Sequence, residues 1–61
     1  MNQFIRAQCR NMDSYLTAFL QSCRTAALQD DGVITKEEEK TLKRLEKSSE
    51  KFRAELHRVT E

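Results

Sequence analysis

Proline is absent from this chain of 61 residues, and glycine occurs once, at Gly32. Without proline nothing forces a helix to stop, and one glycine leaves a single natural break where the backbone reverses at little steric cost. Long apolar runs are missing too: no uninterrupted run exceeds three residues. That argues against a signal peptide or membrane span, and the cytoplasm is the expected location. With one histidine, two cysteines and no Cys-x-x-Cys pair, a zinc site within one chain is not expected. No Ser/His/Asp or Cys/His constellation, glycine-rich phosphate loop or pair of pocket carboxylates is present, so the chain is not expected to be an enzyme or to hold a cofactor. The formal charge is only +1, from 11 basic and 10 acidic residues, which removes any net pull toward nucleic acid or membrane.

What remains is a helical pattern on both sides of the break. Residues 2–28 carry Ile5, Cys9, Met12, Leu16, Phe19, Cys23 and Ala26, alternating steps of four and three along the chain. That is the seam of a helix packed lengthwise on another. Residues 35–60 carry Leu42, Leu45, Ser49, Phe52, Leu56 and Val59 with the same alternation, interrupted by the polar Ser49. Around this narrower stripe run Glu37 with Lys40, Glu39 with Lys43, Glu50 with Arg53 and Lys51 with Glu55, spacings that support a solvated helix. His57 falls on the outward side of this helix, where it reads as a surface residue.

The segment between them, residues 29–34, is the turn. Gly32 suits the left-handed residue that ends many helices. Thr35-Lys36-Glu37-Glu38 reads as a capping box, and Glu37 to Glu39 place negative charge at the positive end of the second helix. Asp31 to Glu38 also resembles the second half of an EF-hand calcium loop. Its leading ligand positions would be Ala27 and Gln29, so no metal is expected there.

Folding at Gly32 sets Cys23 opposite Leu42, Phe19 opposite Leu45, Leu16 opposite Ser49, Met12 opposite Phe52, Cys9 opposite Leu56 and Ile5 opposite Val59. The expected fold is all-α: one antiparallel two-helix hairpin spanning residues 1–61. Cys9 and Cys23 lie 14 residues apart on one helix, about 21 Å along its axis and beyond disulfide reach. They are expected to be reduced core residues.

Two helices make a thin core, with every layer open to water on one side. The hairpin is therefore expected to be completed as a four-helix bundle, by dimerisation or by a partner's helix. Phe4, Tyr15, Leu16, Phe19, Leu20 and Ala27 form the candidate interaction face, with Tyr15, Leu20, Ala27 and Phe4 left uncovered by the second helix. A helical protein–protein interaction module, a regulator or adaptor, is the function this face suggests. The alternative is nucleic-acid binding through Arg6, Arg10, Arg24, Lys40, Lys43 and Lys47, although aromatic stacking platforms are few at 7 %.

A hairpin of this length with heptad seams resembles the Rop-type plasmid regulators, homodimeric four-helix bundles that bind RNA through their first helices. Phe4-Ile5-Arg6-Ala7-Gln8 is similar to a Phe-Ile-Arg-Ser-Gln stretch of that family, placed elsewhere along the helix. The resemblance covers five residues and a shape, and transfers no site residue. Small co-chaperone hairpins of bacterial secretion systems have a similar shape.

Overall fold

The computed structural model describes residues 2–60, Asp30 by its backbone alone, and forms two helices: α1 (Gln3–Asp31) and α2 (Lys36–Thr60). They pack against each other along their length. No strand occurs among the described residues.

Each helix end has an identifiable cause. Asn2 is extended (φ −72°, ψ 145°) and its side-chain oxygen accepts the N–H groups of Phe4 at 2.8 Å and Ile5 at 3.2 Å. This satisfies two of the amides that a helix start leaves without partners. At the other end α1 continues through Gln29 and Asp31, because nothing before Gly32 opposes the helix. Gly32 then turns left-handed (φ 76°, ψ 8°), and its N–H donates to the Leu28 carbonyl at 2.8 Å. Asp31 Oδ1 accepts the Val33 N–H at 3.0 Å, tightening the reversal.

The capping box is formed in both directions. Glu38 N–H donates to Thr35 Oγ1 at 3.1 Å, and Thr35 N–H donates to Glu38 Oε1 at 2.9 Å. The two carboxylates that resemble calcium ligands are thus engaged as a turn former and a helix cap.

The interhelical seam is the point at which structure and apolar periodicity part. On α2 the buried residues are Leu42, Ser49 and Leu56, spaced by seven. On α1 the half-buried set is Arg6, Cys9, Asp13, Leu16, Leu20, Cys23, Arg24 and Ala27. Cys9, Leu16 and Cys23 therefore sit on the seam as the pattern predicts. Ile5, Met12 and Phe19 do not: they are exposed, while Asp13, Leu20 and Ala27 turn toward α2. Leu20 and Ala27, expected to remain free, are half-covered instead.

Ionic contacts across the hairpin accompany this rotation of α1. Arg53 of α2 is in direct ionic contact with Asp13 through Nε and Oδ1, and its Nη2 donates to Thr17 Oγ1 at 2.8 Å. Arg24 Nη2 donates to Glu46 at 2.7 Å and lies 3.8 Å from Glu39. Each pair needs its α1 member at the edge of the contact, where long side chains bury their stems and keep their charges wet. Consequently Glu39 and Arg53 turn to α1 rather than to Lys43 and Glu50, the partners their spacing suggested. The ionic contact seen within that helix joins Arg58 and Glu55 at 3.4 Å.

Candidate interaction face

The hairpin has two unlike sides. Arg53–Asp13, Arg24–Glu46 and Arg24–Glu39 all lie along one of them, with His57 Nε2 3.6 Å from Asp13. Arg24 is held charged above its ordinary range, first by the hydrogen bond it donates to Glu46 and then by the charges of Glu39 and Glu46. Such half-exposed pairs are individually worth little. They mark which half of α1 lies along the charged edge of α2.

The other side exposes the large apolar residues. Phe4 is 72 % exposed, Tyr15 70 %, Phe19 49 %, Ile5 47 % and Met12 40 %, and on α2 Phe52 is 45 % exposed. At about 100° per residue, the half of α1 turned away from its ion pairs carries Phe4, Ile5, Gln8, Asn11, Met12, Tyr15, Ala18, Phe19, Ser22 and Ala26. Between Phe4 and Gln29 that half holds no charged residue. The charges of the same stretch, Arg6, Arg10, Asp13 and Arg24, all lie on the opposite half. Depletion of charge together with exposed aromatics and Met is the composition of an interface core rather than of a solvated helix.

Leu45, Phe52 and Val59 extend this side onto α2, again seven residues apart. Near the turn an open hollow of about 490 Å³ lies between the helices, lined by Cys23, Ala26 and Ala27 from α1 and by Thr41, Leu42 and Leu45 from α2. Small side chains on α1 make the space, and Glu37 and Glu38 border it. Both cysteines are free and half-buried.

Of the expected face, the structure brings Phe4, Tyr15 and Phe19 together on one uncharged half of α1. Leu16 lies on the seam itself, and Leu20 and Ala27 lie toward α2. Ile5, Met12 and Phe52 belong to the exposed side although their periodicity assigned them to the interior. The placement of charge carried part of the signal: Arg6, Arg10, Asp13 and Arg24 group on one half of α1 and the exposed aromatics on the other.

The basic candidates are scattered. Arg24 is engaged by Glu39 and Glu46, and Arg6 is half-buried with its Nε shielded and without a hydrogen bond. Arg10 is exposed on α1. Lys40, Lys43 and Lys47 are exposed on the back of α2, in line with Lys36, Arg44 and Lys51. This strip is continuous, with glutamates at its margins.

Fold and surface together define a class: an antiparallel helical hairpin with one ionic side and one unpartnered apolar side. No family model matches the chain, and no curated protein or solved structure matches it either.

Proposed function

We propose that this chain is a small, non-catalytic helical interaction module, a cytoplasmic regulator or adaptor that offers the apolar side of its hairpin to another helical surface and so completes a four-helix bundle. The observation that supports the reading is the uncharged outer half of α1, with Phe4, Tyr15 and Phe19 exposed on it. Removing such side chains from water is worth roughly 1.5–3 kcal/mol each, an incentive that a free hairpin leaves unused. Two free thiols and the absence, among the described residues, of a helix apolar enough to cross a membrane accord with a reducing, aqueous setting.

The basic strip on the back of α2 favours one rival reading, an RNA- or DNA-binding regulator that uses Lys40, Lys43 and Lys47, with Arg10 of α1. The two readings differ in their response to salt, because phosphate contacts release counterions and apolar packing does not. The test is capture from lysate on immobilised protein at low and high salt, with and without nuclease. Retention that survives salt and nuclease and disappears in Phe19→Glu is the expected result. Retention lost to nuclease, and lost in the triple variant Lys40→Glu, Lys43→Glu and Lys47→Glu, would replace it with the nucleic-acid reading.

A further inference from the structure

We infer that the surface covering the apolar side is a second copy of this chain, packed α1 against α1 in opposite directions about a two-fold axis passing between Tyr15 and Leu16. The inference rests on the reading above and names the partner.

Shape is the first argument. Projecting residues, Phe4 and Ile5, stand near one end of α1, and the hollow beside Cys23 and Ala26 lies near the other end, on the same side of the hairpin. Between them the exposed row continues through Met12 and Phe19. Ile5, Met12, Phe19 and Ala26 are evenly spaced by seven, so the reversed row matches itself about its midpoint. In that register Ile5 of each copy meets Ala26 of the other, and Met12 meets Phe19. Ile5 then enters the hollow walled by Leu42 and Leu45 of the second copy. Two-fold symmetry makes every such contact twice, so one knob and one hole per chain suffice to close the assembly.

Charge is the second. Because the outer half of α1 is uncharged between Phe4 and Gln29, placing it on itself brings no like charges together. Along the margin of α2 the same axis sets Glu55 of one copy level with Arg44 of the other, a pair of opposite sign.

Area is the third. A compact monomer of this mass exposes about 4,100 Å², whereas the hairpin, 46 × 17 × 10 Å in its Cα extents, exposes 5082 Å². The excess of about 1,000 Å² is close to the roughly 800 Å² that each partner covers in a stable dimer.

The register is tested with a single new thiol. In a Cys9→Ser background, Gln8→Cys is added while native Cys23 is kept. The two positions are 15 residues apart on one helix, about 22 Å, so no disulfide closes within a chain. In the inferred dimer position 8 of each copy faces Cys23 of the other. The wild type should sediment at twice the 7.2 kDa chain mass at micromolar concentration. The double variant should oxidise to a covalent dimer, and Cys9→Ser alone should not. Ile5→Asp, at a position exposed in the hairpin and so tolerated by its fold, should weaken association on the order of a hundredfold by placing a charge in the hollow.

A stable wild-type monomer overturns the inference. So does a dimer that fails to cross-link in the double variant, or that cross-links equally through Cys23 alone. A monomer that still retains a lysate protein through Phe19 removes self-association and leaves the interaction module standing. If Phe19→Glu alters neither association nor retention, the module reading falls with it.

Discussion

Gly32 offers the cleanest separation of backbone conformation from contact. It is the one residue with positive φ among those described, and a Cβ built on it would meet nothing within 4 Å. Any penalty for substitution there comes from the left-handed conformation, which costs an L-residue about 1–2 kcal/mol. Against this, replacing glycine by alanine restricts the unfolded chain and returns about 0.4–1 kcal/mol. Gly32→Ala should therefore destabilise by about 1 kcal/mol net. Gly32→Asn should cost less, since asparagine visits this region more readily, and Gly32→Val should cost more. D-Alanine, introduced by chemical synthesis, keeps the gain and avoids the penalty, so it should stabilise. For a chain of this length the unfolding entropy is about 130 cal/mol/K, so 1 kcal/mol corresponds to about 8 °C in midpoint. Thermal unfolding followed by circular dichroism at one fixed protein concentration reads the whole series, the fixed concentration being needed because association would shift every midpoint. L- and D-alanine moving the midpoint equally, in either direction, would refute the argument.

Thr35→Ala should lower stability by about 1 kcal/mol, because the Glu38 N–H loses its side-chain acceptor; an unchanged melting curve would show that the start of α2 is held by packing alone. Ser49 is buried between Leu42 and Leu56 on the seam, so Ser49→Ala should raise the midpoint, helped by about 0.5 kcal/mol of helix propensity, and a fall would reveal a hydroxyl contact that matters. Millimolar calcium in place of chelator should leave helicity and midpoint unchanged, since Asp31 and Glu38 are engaged in the turn and cap; a clear calcium-dependent rise would reverse that assignment.

Local features were the most legible in the sequence. Thr35 and Glu38 form the capping box from four adjacent residues, and Gly32 turns where the only glycine stands. Asn2 was equally readable as an N-cap, being an asparagine directly before a helical run. The rotation of α1 was harder to see. Periodicity ranks Ile5, Met12 and Phe19 as interior because they are apolar, yet a hairpin supplies α1 with one neighbour, and one neighbour cannot cover so broad a stripe. The covered part includes Asp13 and Arg24, whose partners Arg53 and Glu46 stand 40 and 22 residues away. No count of spacings within one helix contains that information. The exposed side followed from the same choice, so its exact membership became visible only once the ion pairs were placed.

The single short connection at residues 32–35 also has a mechanical consequence. Because the helices run antiparallel, Asn2 and Thr60 stand at the same end of the hairpin, opposite the turn. A load applied through those two residues peels the seam open one layer at a time, starting at Cys9 and Leu56 and reaching Cys23 and Leu42 last. Each step strains only a few contacts, whereas pulling from Asn2 and Gly32 would load α1 along its axis and stretch its whole hydrogen-bond ladder at once. The same hairpin is thus compliant in one direction and stiff in the other.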